Sequence, residues 1–207
     1  MLLLLIFGIV LLQKASTLKC HKCLPDGLGS CKDAAVECPS EGFQCAALRV
    51  FVFKGGSKVS DINMTMCALA EQCVESSLNF GITRTVITSK CCTSELCNSQ
   101  PAPDPQKSTP NGIKCFHCDG QTCSGTLNCE GNEDYCMTTT VALGGEKMTM
   151  KGCASPLICS SSQTAHLSGA IGAELSCCQG NYCNSAISTR AGLLLLVAPL
   201  MAWVMFS

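Results

Sequence analysis

Aromatic side chains are scarce in this chain, with 7 Phe, 2 Tyr and 1 Trp among 207 residues. The one tryptophan, Trp203, sits in an apolar run at the C-terminal end and outside the body of the chain. So few rings leave no large aromatic core, and a domain without one needs another source of stability. Charge is sparse too: 14 Lys+Arg against 15 Asp+Glu give a net charge of −1 with no basic cluster. Nothing in the electrostatics points to nucleic acid. Outside the two ends no segment carries a helical period. A Gly-framed serine, a His-Glu-x-x-His helix and a phosphate loop are all missing, so the expectation is no enzyme and no cofactor.

What the chain has is cysteine. Twenty fall into two blocks of ten. The first is Cys20, Cys23, Cys31, Cys38, Cys45, Cys67, Cys73, Cys91, Cys92 and Cys97; the second is Cys115, Cys118, Cys123, Cys129, Cys136, Cys153, Cys159, Cys177, Cys178 and Cys183. Steps run 3, 8, 7, 7, 22, 6, 18, 1, 5 in one and 3, 5, 6, 7, 17, 6, 18, 1, 5 in the other, so six of nine agree. Chance does not produce that. The chain is a tandem repeat of one cysteine-framed domain.

An even count at this density belongs to an oxidising compartment, where thiols pair and stay paired. The ends agree. Leu2 to Leu12 is a short apolar run followed by Ala15, Ser16 and Thr17, which reads as a signal peptide over residues 1–17, although no basic residue precedes the run. Residues 185–207 hold a second apolar run, Ala191 to Phe206, interrupted by Pro199 and followed by no Lys or Arg. It is short for a span, which takes roughly 20 apolar residues. It reads instead as a removed signal for a glycolipid (GPI) anchor, with a short single-pass anchor as the rival. Asn184 is the expected attachment residue, because Asn184-Ser185-Ala186 has small residues at the site and two positions on. Ala186 is the rival; Ser185 and Ser188 would put Ile187 and Arg190 at the second position on.

Residues 99–112 carry four of the chain's eight prolines and read as a semi-stiff spacer. The flanking domains, 18–98 and 113–184, have about seventy to eighty residues each, too few to be secure without staples. Their elements are extended. Leu48 to Phe53 and Val59 to Met66 flank Gly55-Gly56, the pattern of a hairpin. The second domain repeats it over Met137 to Leu143, Gly144-Gly145 and Glu146 to Met150. A further hairpin fits Val74 to Lys90, and its counterpart, Ser160 to Ser176, gives a weaker strand signal.

Two stretches carry a family resemblance. Leu18-Lys19-Cys20-His21-Lys22-Cys23 and Ile113-Lys114-Cys115-Phe116-His117-Cys118 look like an opening strand. Cys91-Cys92-Thr93-Ser94-Glu95-Leu96-Cys97-Asn98 and Cys177-Cys178-Gln179-Gly180-Asn181-Tyr182-Cys183-Asn184 look like the closing signature. The chain resembles the lymphocyte-antigen-6/urokinase-receptor (LU) family, also called three-finger or snake-toxin-like, over Leu18 to Asn184. The resemblance implies an all-β, disulfide-rich fold of two tandem LU domains with five disulfides each. It implies the pairs Cys20–Cys45, Cys23–Cys31, Cys38–Cys67, Cys73–Cys91 and Cys92–Cys97. For the second domain it implies Cys115–Cys136, Cys118–Cys123, Cys129–Cys153, Cys159–Cys177 and Cys178–Cys183. Spacing alone does not choose among the possible connectivities. The urokinase receptor has three such domains where this chain has two. Snake-plasma phospholipase inhibitors share a junction like Pro110-Asn111-Gly112 but lack the tail.

The functional expectation is binding: a cell-surface, glycolipid-anchored protein at the outer leaflet that recognises an extracellular protein ligand, with neither metal nor nucleic acid. A secreted phospholipase inhibitor, a tethered modulator of a receptor channel and a structural adhesion or gamete-surface protein are the alternatives. His21 and His117 beside Cys-x2-Cys pairs suggest zinc or redox chemistry only if thiolates are free, and the repeat accounts for every cysteine in a bridge. A turn centred on Gly55-Gly56 puts Arg49, Phe51 and Phe53 on one face with Lys58, Ser60 and Ile62. Leu48, Val50 and Val52 then share the other with Val59, Asp61 and Asn63. Asn63-Met64-Thr65 is a glycosylation sequon, so Asn63's face should be the watery one. Arg49, Phe51 and Phe53 are therefore the ligand-contact candidates, against the plainer reading that they pack the domain. The second domain has Thr139, Val141 and Leu143 in their place.

Overall fold

The computed structural model of this chain describes residues 17–25, 31–118, 122–143, 146–160 and 174–185. The expected signal peptide and the apolar tail beyond Ser185 lie outside the described residues, apart from Thr17. The first domain runs β1 (Lys19–Lys22), β2 (Ala34–Glu37), β3 (Phe43–Lys54), β4 (Ser57–Leu69), a 3-10 turn (Ala70–Gln72), β5 (Ser76–Asn79) and β6 (Thr83–Cys92). The second runs β7 (Pro110–His117), β8 (Gly125–Glu130), β9 (Tyr135–Leu143), β10 (Glu146–Ala154) and β11 (Glu174–Cys178). All pairings are antiparallel, and each domain opens with a small two-stranded sheet, β1–β2 and β7–β8. Strand β7 begins at Pro110, inside the segment read from sequence as spacer. Of the weak strand expected over Ser160 to Ser176, residues 161–173 lie outside the described residues, and β11 holds its end.

Disulfides make the core. Cys20, Cys38 and Cys45 cluster with Leu18 and Phe43 in one domain, and Cys115, Cys129, Cys136 and Cys153 with Ile113 and Leu127 in the other. The bridges are Cys20–Cys45, Cys23–Cys31, Cys38–Cys67, Cys73–Cys91 and Cys92–Cys97, then Cys115–Cys136, Cys118–Cys123, Cys129–Cys153, Cys159–Cys177 and Cys178–Cys183. Each is worth about 3 kcal/mol for a closed loop of roughly 15 residues, and less than additively for several. The closing asparagines tie this core to the fingers. Asn98 accepts from the His21 N–H at 3.0 Å and donates to His21 and Ala46 carbonyls at 2.9 and 3.0 Å. Asn184 repeats the arrangement with Phe116 and Met137.

A seven-stranded sheet, ordered β11-β9-β10-β5-β6-β3-β4, runs through both domains. The seam is β10 against β5, with Cys153 facing Asn79 and Ala154 facing Leu78. The Ser155 N–H donates to the Ser77 carbonyl at 2.9 Å, and the Ser77 N–H donates to Ser155 Oγ at 3.0 Å. Gly152 permits this approach: a Cβ there would stand 2.0 Å from the Asn79 carbonyl oxygen. Glycine inside a strand marks such close backbone contact.

The long hairpin corrects the expected register. Gly55 and Gly56 have φ of 56° and 79°, the positive pair that a two-residue turn matched to strand twist requires. Pairing follows the register expected for a turn centred on Gly55-Gly56 only for Lys54↔Ser57 and Phe53↔Lys58. Val59 is then left over as a bulge, and beyond it Val52 faces Ser60, Phe51 faces Asp61 and Arg49 faces Asn63. One extra residue on one strand exchanges that strand's faces. Asp61 and Asn63 thus share a face with Arg49 and Phe51, and Ile62 joins Val50 on the other.

Candidate functional site

Central position and alternation decide what β3 displays. Arg49, Phe51 and Phe53 face Thr88, Val86 and Arg84 on β6, and beyond these come Ser77 and Asn79 on β5. Phe51 is 1% exposed. It has no surface to offer a partner, so its reading as a ligand contact is replaced by a packing role. Arg49 and Phe53 are half-buried. Arg49 stacks over the Phe51 ring at 4.7 Å while its Nε and Nη2 each donate to an Asp61 carboxylate oxygen at 2.7 Å. Lys58 donates to Asp61 at 2.9 Å from the far side. The Arg49 hydrogen bond first, then that of Lys58, lowers the Asp61 carboxyl to about 2.

This face is covered by the proline-rich segment, which the structure shows as a strap. Ala102 is buried, Thr88 Oγ1 donates to the Pro103 carbonyl at 2.7 Å, and Arg49 pairs with Asp104 at 3.0 Å. Arg84 Nη1 donates to Ser108 Oγ at 2.6 Å. The aromatic and cationic excess of the first repeat over the second has a local cause here: it holds the strap. Pro101, Pro103 and Pro105 have no N–H to give a ladder, so a strap held by side chains suits them.

At the strap's far end sits a charged cluster unseen in the sequence. Glu133 of the second domain is 0% exposed. Its Oε1 accepts from Ser77 Oγ at 2.6 Å and Arg84 Nε at 2.9 Å, and its Oε2 accepts from Asn79 Nδ2 at 3.2 Å and the Glu130 N–H at 2.9 Å. Arg84 Nη1 also pairs with Glu130 at 2.7 Å. A buried carboxylate is tolerable when paired and fully hydrogen-bonded, as this one is. Gly152 lies past the strand end expected at Met150, and neither it nor Arg84, Glu130 and Glu133 stood out in the sequence.

Above this cluster lies a cleft of about 470 Å³ between the tips of the first domain's fingers, the strap and β8. Phe53, Ile82, Val86 and Leu127 supply its apolar lining, and Arg84, Glu130, Glu75 and Lys107 give it charge of both signs. The Gly55 N–H donates to the Ile82 carbonyl at 2.9 Å, joining the two fingertips, and Ile82 is left 53% exposed. Of the three expected contacts, Phe53 lines this cleft, whereas Arg49 and Phe51 lie under the strap. Leu48, Val50, Val52, Ile62 and Met64, on the opposite face, are half-buried.

The remaining expected groups are placed as follows. Asn63 is exposed on β4. His21 Nδ1 lies 2.9 Å from Asp33, and His117 packs where the Gly81 and Gly125 backbones meet it. Two sulfur triads, Cys20/Cys38/Cys67 and Cys115/Cys129/Cys153, have metal-like spacing, but all six sulfurs are in disulfides and offer no thiolate. Among the described residues no helix is long and apolar enough to cross a membrane.

Both halves match known families. Residues 16–100 match the u-PAR/Ly-6 domain, and residues 113–184 match the snake toxin and toxin-like protein family. The chain belongs to this u-PAR/Ly-6, three-finger family. It is 34% identical over 110 residues to the urokinase plasminogen activator surface receptor of Mus musculus, covering 46% of this chain and 32% of that receptor. The Rattus norvegicus receptor is 31% identical over 126 residues, 54% of this chain and 38% of the receptor. The chain thus spans about a third of the length of the receptors it matches. Xenoxin-3 of Xenopus laevis is 33% identical over 73 residues, 35% of this chain and all of that protein. Mouse TEX101 resembles it at 12% identity with a TM-score of 0.27, over 81% of this chain and 98% of that one.

Proposed function

We propose that this chain is a non-enzymatic, extracellular binding protein of the urokinase-receptor type, whose ligand is a protein docked in the cleft at the domain seam. The observation that carries the reading is the cleft itself. Two three-finger domains share one sheet, and where they meet the fingertips leave Ile82 exposed beside half-buried Phe53 and Leu127. Apolar side chains beside Arg84, Glu130, Glu75 and Lys107 suit a protein segment that brings both apolar and charged groups. Relatives named as surface receptors support the class.

The protein is carried by the secretory pathway, glycosylated at Asn63 and held at the outer leaflet by a glycolipid. Attachment at Asn184 joins the lipid to the main-chain carboxyl. The buried Asn184 amide keeps its three hydrogen bonds, and among the described residues the contacts given up are those of Ser185 with Tyr182 and Lys151. Release from cells by phosphatidylinositol-specific phospholipase, with mass spectrometry of the C-terminal peptide, tests this; lipid on Ala186 would move the site.

Soluble protein covering residues 18–184, used as bait on cell surfaces and extracellular fluid, recovers the ligand. Ile82→Asp and Phe53→Ala are expected to weaken its binding by about 2 kcal/mol or more with secretion unchanged. Loss on changing Val50 or Ile62 instead would place the site on the opposite face.

A further inference from the structure

The sequon asparagine borders a groove of its own. Strand β4 is an outer strand of the seven-stranded sheet. Near its middle, Thr65 turns its N–H and carbonyl outward, where both pair with Cys23 at 3.0 Å. Main-chain direction alternates along a strand, so Asn63 and Asp61 also turn theirs outward, and among the described residues no strand of the sheet lies beyond them. Open edges of this kind are usually covered or blunted. Beside this edge a groove of about 240 Å³ runs between Asn63 and Thr65 on one side and Ser99, Gln100 and Pro101 on the other, over Ala47. Thr65 is one of its lining residues, and the Thr65 hydroxyl is buried without a hydrogen-bond partner in the protein. Buried polar atoms left unpaired are few in native proteins and call for an explanation.

We infer that this groove seats the first N-acetylglucosamine of a glycan on Asn63, and that the sugar pins the start of the strap to the open edge of β4. The groove has the character such a sugar needs: Pro101 for the ring and Gln100 and Ser99 as polar neighbours, beside the sequon's own threonine. Asn63 is exposed and stands on the strap's side of the sheet, because the bulge at Val59 put it there. The inference rests on the secretory passage proposed above. In the attaching step the Asn63 amide nitrogen bonds to the anomeric carbon of a lipid-pyrophosphate-linked oligosaccharide. The bond from that carbon to the phosphate oxygen breaks, and the amide proton leaves with the lipid pyrophosphate.

The test uses the full chain made in secretory cells whose glycans stay mannose-rich. Three forms are compared: intact, trimmed enzymatically to a single N-acetylglucosamine, and Asn63→Gln. Amide hydrogen exchange is read over residues 61–65 and 99–104. The intact and trimmed forms are expected to exchange alike, and Asn63→Gln about tenfold faster over these segments, with the seam around Ser77 and Ser155 unchanged in all three. If Asn63→Gln is not secreted, removal of the whole glycan from the folded protein supplies the third form. Absence of a glycan on Asn63 by mass spectrometry would overturn the inference, and so would equal exchange in the trimmed and sugar-free forms. Neither result depends on whether the cleft binds a protein.

Discussion

Arg84 reaches across the domain boundary to Glu133, Nε to Oε1 at 2.9 Å, although 49 residues separate them. The acceptor is fully buried and the donor partly so. Replacing Glu133 by Ala removes the acceptor for Ser77, Asn79 and the Glu130 N–H at once. Breaking a buried pair from one side costs roughly 3–5 kcal/mol. Glu133→Ala is expected to separate the unfolding of the two domains into two calorimetric steps, with ten disulfides still formed. A single transition at the original temperature would refute the seam as a stabilising contact.

The Gly152 backbone is the second way to open the seam. Gly152→Ala places a methyl 2.0 Å from a carbonyl oxygen that belongs to a strand and has little freedom to retreat. Small-angle scattering of the variant is expected to show a more extended particle and weakened ligand binding, while each domain keeps its bridges. An unchanged scattering profile would count against the close approach.

Phe51 and Phe53 separate core from cleft, two residues apart on one face. Phe51→Ala empties a fully buried site and is expected to cost about 3–5 kcal/mol, seen as lower secretion and a lower melting temperature. Phe53→Ala is expected to leave secretion near normal and to act on ligand affinity. If both variants fold normally and bind normally, neither role holds.

Acid should loosen the long hairpin and strap through Asp61. Folding lowers its pKa from 3.8 to about 2, chiefly by the Arg49 hydrogen bond. Its ionised form is the one folding favours, so this contribution is complete above about pH 4 and is lost as pH falls through about 2. Melting temperature measured against pH should therefore fall more steeply below pH 4 in the parent than in Asp61→Asn. Parallel acid limbs would show that the Arg49–Asp61 pair adds nothing in solution.

Much of the fold was legible because cysteine spacing is a one-dimensional record of a three-dimensional frame. The tandem repeat, the hairpin around Gly55-Gly56 and the hairpin ending near Lys90 followed from residues and local periodicity. The face assignment failed at one residue: a bulge at Val59 leaves no mark in an alternating pattern, yet it exchanges the faces of every residue beyond it on that strand. Gly152 lay past the strand end expected at Met150, so its close approach to the neighbouring domain showed only in the structure.

Residue order and spacing were sufficient for the number of repeats and their disulfide dependence, and the resemblance of the opening and closing motifs for the class of domain, since each is set by contacts within about eighty residues. The buried Glu133 and the cleft arose only when the two domains met, and the strap only when the proline-rich segment lay on the first domain's sheet. Whether a proline-rich segment hangs free or lies on a sheet depends on the side chains beneath it, here Arg49, Thr88 and Arg84. Whether a glutamate is solvated or buried depends on a partner in the other domain. Those contacts join residues whose own strands give no reason for the pairing, so the energy that selects them exists only in the docked arrangement.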